Sequence, residues 1–178
     1  MSEMTAEVAH LFVQNVLLGV LRNESRTTRT VLAAVPNANL DYRPDPCAKT
    51  ANELLRHIAS ADNSFLRLVL DGAFVPGSVK IPEDVRTPAE VAAWYADEHA
   101  RNLDAVTRLS GEQLMRMVSF RGQFERPAYT FLQMGLLHAV HHRGQLSTYL
   151  RSMGGKVPAI YGESYDSAEA KKAAQAVA

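Results

Sequence analysis

Four long runs of apolar residues at helical spacing, each with a legible start signal, constrain this chain more than any other feature. The first extends roughly from Thr5 to Val35, with Val13, Val16, Val20, Asn23, Thr27, Val31 and Val35 along one stripe. The second extends from Ala51 to about Leu70, with Leu54, Ile58, Ala61, Phe65 and Leu68 on one side. The third runs from Pro88 to about Leu109 through Val91, Trp94, Glu98, Ala105 and Leu109, and the fourth from Pro127 to about Met153. Recurrence every three or four residues is the period of an amphipathic helix, not of a strand.

The punctuation agrees. Thr50-Ala51-Asn52-Glu53 is a capping box, in which the threonine accepts from the Glu53 amide while Glu53 reaches back. Thr87-Pro88-Ala89-Glu90 repeats it with proline at the first helical position, where the missing donor costs nothing. Pro127 can open the fourth run in the same way, and Asp166 with Glu169 marks a short helix near the C-terminus. Pro36, Pro44 and Pro46 fill one connection, and Pro76, Gly77 and Pro82 another. Gly154-Gly155 supplies the left-handed stop after the fourth run. Residues 110–126 are the least regular stretch, and Val118-Ser119-Phe120 can be briefly extended there. These signs predict an all-α four-helix bundle with a short C-terminal helix, as a single domain over residues 1–178.

Composition narrows the function classes. Nineteen basic and nineteen acidic side chains cancel, so bulk charge gives no reason to expect a nucleic-acid backbone or an anionic membrane as partner. Cys47 is the single cysteine and cannot form an internal disulfide. Glu3, Glu7 and His10 interrupt the N-terminal segment, which argues against a signal peptide, and no run of eighteen apolar residues occurs. A cytoplasmic protein acting on a small molecule is the resulting expectation.

Histidine carries the strongest chemical signal. His138 and His142 lie four apart on the fourth run, hence one above the other on one helix face, with Met134 before them and Gln145 and Tyr149 beyond. Such a pair can hold a divalent cation, although the same spacing also occurs on solvated faces. His57 follows the Thr50 cap by seven residues and sits at the edge of the second run's apolar stripe, where a lone histidine can equally be a core group. Together the three would make a three-nitrogen site with an open position, the catalytic pattern for zinc, and one that nickel or iron would also accept. His141 turns to a different face.

The segment Leu137-His138-Ala139-Val140-His141-His142-Arg143-Gly144-Gln145-Leu146 resembles the fourth-helix signature of the DinB/YfiT-like family. So do its continuation from Tyr149 to Pro158 and the stretch Thr50 to His57, and the likeness extends from about Thr5 to Tyr165. The resemblance implies a bundle of unusual connectivity with a metal held by His57, His138 and His142. It also implies a homodimer, and an activity toward low-molecular-weight thiols such as S-transfer, with the thiol as co-substrate. Hydrolysis of a small substrate and a non-catalytic, stress-associated metal-binding role are the alternatives.

Other residues carry further chemical possibilities. Arg143, directly after the second ligand, can grip a substrate or thiol carboxylate as part of the catalytic machinery, or can pair with an acidic side chain. Gln145 can steady a ligand from behind. Asn23, Thr27, Glu98 and Asn102 interrupt apolar faces, either as internal hydrogen bonds or solvated ends, or as a polar cavity over the metal. Tyr161 and Tyr165 can lie across an opening or pack the tail. Glu7-Val8-Ala9-His10 is the only Glu-x-x-His element, too few for a di-iron carboxylate bundle. No metalloprotease, phosphate-loop, nucleophile-elbow or dinucleotide motif is present. Cys47 lacks an adjacent base and is a weak nucleophile candidate.

Overall fold

The computed structural model describes residues 4–176; the leading residues 1–3, which entered the reading of the N-terminus, and the final pair ending in Ala178 lie outside them. The first helical run is α1 (Ala6–Phe12), a π-turn (Val13–Leu17) and α2 (Leu18–Ala33) in one continuous rod. Then come α3 (Ala51–Asp71), α4 (Pro88–Val106), the one-turn α5 (Gly111–Met115), a hairpin of β1 (Met117–Phe120) and β2 (Phe124–Pro127), α6 (Ala128–Ser152) and α7 (Tyr165–Ala176). The long helices form the bundle: α3 packs on α6 and α4, and α2 on α4 and α6. The fold is all-α apart from the hairpin, which stands where the sequence lost its helical period.

Local chemistry explains the boundaries. Thr50 Oγ1 accepts from the Glu53 amide at 3.1 Å while Glu53 Oε2 accepts from the Thr50 amide at 2.7 Å, so α3 starts where the box places it. It ends at Gly72, whose φ of 69° a side chain would resist. The Thr87/Glu90 box opens α4 with Pro88 inside the first turn. The hairpin turns through Arg121 and Gly122, both at positive φ, as a tight antiparallel turn requires. α7 is opened by Ser164, which accepts from the Ser167 amide; Asp166 instead accepts from Arg151 and from the Val157 amide.

The π-turn changes which face of the first rod is inside. It places one more residue in the turn, so the inward stripe continues through Leu17, Leu18 and Leu21. Val16 and Val20, expected inside, are about half exposed (52% and 40%), while Val13, Val31 and Val35 are buried as expected. On α4 the inward face is Val91, Tyr95, His99, Asn102 and Val106, one residue round from the expected Trp94 and Glu98.

Two apolar clusters fill the bundle. One gathers Val13, Leu21, Leu66, Leu103 and Phe131; the other gathers Val31, Leu54, Ile58, Val91, Leu146 and Leu150. Along each long helix the buried polar residues fall between the two sets: Thr28 on α2, Asp62 and Asn63 on α3, His99 and Asn102 on α4, Arg143 on α6. A polar layer therefore crosses the middle of the bundle. Among the described residues, no helix is long and apolar enough to cross a membrane.

Candidate metal centre

The α3–α6 contact brings His57, His138 and His142 together. His57 Nε2 lies 3.2 Å from His138 Nε2 and 3.3 Å from His142 Nε2. Gly135 allows this close approach, because a Cβ there would come within 2.7 Å of the Phe65 Cβ on α3. Among the described residues this is the one cluster of three or more potential ligands.

The donor set has the spacing and chemistry a divalent metal needs. Nitrogens about 2.0–2.1 Å from a common ion in tetrahedral arrangement stand roughly 3.3 Å apart, which matches the two distances from His57. His142 Nδ1 lies 2.6 Å from Gln145 Oε1, an oxygen that can only accept, so this ring donates from Nδ1 and turns its Nε2 toward His57. His138 Nδ1 is buried without a hydrogen-bond partner. Burial, then the neighbouring His142, His57 and His141, push His138 down to about 4. Burial and His142 lower His57 as well. Both rings are therefore neutral near pH 7, the form a metal requires. These residues fit a divalent cation.

A cleft of about 540 Å³ leads away from His57 and His138. Its walls include Phe65, Phe74 and Phe120, and Arg121 from the hairpin turn. The Phe65 ring sits 5.6 Å from the His138 ring and stacks on Phe120 with centroids 6.0 Å apart. Sequence reasoning missed Phe74, Phe120 and Arg121 as cleft residues. The Arg-Gly turn inside the irregular stretch was the one signal for Phe120 and Arg121, and Phe74 lies outside that stretch.

Arg143 is placed elsewhere. It is buried, with a side chain 2% exposed, and does not line this cleft. It donates to Glu24 Oε2 at 2.6 Å, to Thr28 Oγ1 at 3.2 Å and to the Tyr161 hydroxyl at 2.5 Å. The expected grip on a substrate carboxylate gives way to the other role, pairing with an acidic side chain. The residue after a ligand lies about 100° round the helix, which here faces α2. Tyr161 belongs to that clamp through its hydroxyl, and Tyr165 is 70% exposed.

The remaining polar candidates do not form a cavity over the histidines. Asn23 is exposed, and the Thr27 hydroxyl donates back to its carbonyl at 3.3 Å. Asn102 donates to Asn63 and to Glu98. Deeper in the same layer the Tyr95 hydroxyl donates to Asp62 Oδ2 at 2.6 Å, and His99 Nε2 lies 3.6 Å from that oxygen. Burial raises Asp62 and lowers His99, so burial opposes the charge on both. His141 is exposed, and His10 Nδ1 meets the Leu109 carbonyl, far along the chain from the triad. Cys47 is exposed in its loop.

Comparison with known proteins decides the family: residues 21–146 match the DinB superfamily. The chain belongs to the DinB superfamily. It is 25% identical over 142 residues to the uncharacterized protein YjoA of Bacillus subtilis (strain 168), covering 79% of this chain and 90% of that relative. Its fold is similar to the crystal structure of a DinB-like protein, YjoA, from Bacillus subtilis. That superposition has a TM-score of 0.68, 22% identity, and covers 83% of this chain and 99% of the other. A DinB-like protein from Bacillus cereus ATCC 10987 gives a TM-score of 0.69 at 23% identity, covering 83% and 97%. These structures share the fold.

Proposed function

We propose that this DinB-superfamily chain is a metal-dependent enzyme in which His57, His138 and His142 hold one divalent cation, zinc, nickel or iron, and which transfers a low-molecular-weight thiol to a small electrophile. The observation that carries the reading is the convergence of three imidazoles, with potential ligand atoms all within 4.8 Å of one another, beside an open cleft that His57 and His138 line. Three neutral imidazoles leave the cation's full charge uncompensated and favour an anionic further ligand. When bound, the cation supplies a Lewis acid that keeps a thiol deprotonated near neutral pH.

The chain's own residues set up the rest. Gln145 fixes the ring of His142, and Phe65 packs beside His138, so the histidines are held by their neighbours before anything binds. The aromatic walls shield the electrophile from water. The thiol proton is released to solvent, sulfur bonds to the electrophilic carbon, and the leaving group departs with the bonding pair. The family resemblance implies a homodimer, and the exposed Val8, Leu11, Val16 and Val20 supply apolar surface for one.

The test is metal analysis of untagged protein, followed by a thiol panel (glutathione, bacillithiol, mycothiol) with a reactive haloarene. Close to one divalent ion per chain and metal-dependent conjugation with at least one thiol are expected. Without turnover by any thiol, the hydrolase reading and the non-catalytic metal-binding reading replace thiol transfer. Without metal, all three fall.

A further inference from the structure

The cleft that begins at His57 and His138 has an unusual balance of chemistry. Three phenylalanines, Phe65, Phe74 and Phe120, supply flat apolar surface, and Leu68 and Val79 extend it. Its serines offer little, because the Ser60 hydroxyl donates to the Arg56 carbonyl at 2.9 Å and the Ser64 hydroxyl to the Ser60 carbonyl at 2.8 Å. Arg121 is the one charged side chain that lines it among the described residues, His57 and His138 being neutral near pH 7.

Arg121 is also held in an informative way. Its guanidinium lies 4.9 Å from the Phe74 ring centroid and 5.4 Å from that of Phe120. Among the described residues it forms no ion pair, so no carboxylate occupies its donors. A guanidinium resting on aromatic faces is oriented by them while its N–H donors stay available to an anion. The hairpin turn thus delivers one fixed positive charge to an otherwise apolar, aromatic cleft.

We infer that this cleft takes a planar, apolar molecule carrying one anionic group, with its rings against Phe65, Phe74 and Phe120 and its anion on Arg121. A volume of about 540 Å³ suits an occupant of one or two rings. A neutral molecule would leave the Arg121 donors to water, and a polyanion would find no second cationic side chain in the cleft. The inference rests on the reading of this cleft as the substrate site. It makes the electrophile of the proposed reaction an aromatic acid or a close planar analogue.

The probes are 1-naphthoate and its neutral counterpart 1-naphthalenemethanol, titrated calorimetrically into metal-free and metal-loaded protein. In metal-free protein the acid should bind about tenfold more tightly than the alcohol, the size of one charge-assisted hydrogen bond at a partly exposed site. Arg121→Gln should erase that preference, Arg121→Lys should keep part of it, and Phe74→Ala should weaken both probes. Arg121 is exposed on a turn, so thermal melts of its variants should match the parent. Equal binding of the two probes, no binding of either, or a preference that survives Arg121→Gln would overturn the inference. A preference seen only with metal and indifferent to Arg121 would place the carboxylate on the cation and overturn it as well. Because the decisive titration uses metal-free protein, its failure is distinguishable from failure of the metal reading, which metal analysis decides.

Discussion

Gln145 Oε1 accepts a 2.6 Å hydrogen bond from His142 Nδ1, and this one contact fixes both the tautomer and the orientation of the imidazole. The two residues are three apart on α6, so the helix itself sets their approach. Loss of such an outer contact typically weakens metal affinity about 10–100-fold. Gln145→Leu should therefore reduce affinity by about tenfold while leaving the helix content unchanged, as read by competition with a chromophoric chelator. Unchanged affinity would show that the contact does not orient the ring.

The triad makes a sharper prediction about content. His57→Ala, His138→Ala and His142→Ala should each lose most of the bound metal, since two imidazoles hold a divalent ion poorly against buffer. His141→Ala should retain it, because that ring is exposed and turned from the centre. Elemental analysis of untagged protein reads the result. Full occupancy in a His138→Ala, His142→Ala double variant would remove the assignment.

The arrangement of Arg143 separates a structural from a catalytic role. Removing one member of a fully buried ion pair costs about 3–5 kcal/mol because the other charge is stranded. Glu24 is 20% exposed, so solvent recovers part of that. Arg143→Ala should destabilise the fold by on the order of 2 kcal/mol, lowering the melting temperature by roughly 4–8 °C. Metal content measured below the transition should remain near one ion per chain. Parent-like stability combined with lost turnover would return Arg143 to the catalytic role expected from the sequence.

The parts of the fold that were legible had local causes. α3 was readable to within a residue of its end because a capping box starts it and a glycine at positive φ ends it. His138 and His142 were readable as neighbours because helical geometry alone puts them on one face. The π-turn at Val13–Leu17 was not readable, since an altered hydrogen-bond ladder leaves no mark on composition. It turned Val16 and Val20 outward where a regular helix would bury them. On α4, apolar residues at 91, 92, 94 and 95 satisfy two rotations of the helix, and packing against Asp62 chose the one that buries Tyr95 and His99. The burial of Arg143 depends on Glu24, 119 residues away along the chain, which no local pattern encodes. Arg121 reaches the cleft only because the hairpin folds back over Phe74, a contact equally invisible in the sequence.

The last prediction concerns pH. His57 and His138 have lowered proton affinity in the folded chain, His138 from 6.5 to about 4, with burial as the leading cause. The unfolded chain therefore binds more protons than the folded one between those values, and stability must rise with pH across that window. Read downward, metal-free protein should lose stability progressively as pH falls from 6.5 toward about 4, with this contribution flat above the window. His99, lowered by its own burial, adds a change of the same sign. Metal binding requires neutral imidazoles in the folded chain, so His138 should keep its place in the site until pH approaches about 4, and the stabilisation that metal gives by mass action should be lost there. Denaturant midpoints at a series of pH values, with and without metal, measure both effects. His138→Gln should flatten the acid limb of the metal-free curve, because the group that resists protonation is gone. A metal-free protein equally stable at pH 7 and pH 5 would contradict the burial of neutral His57 and His138 on which this prediction depends.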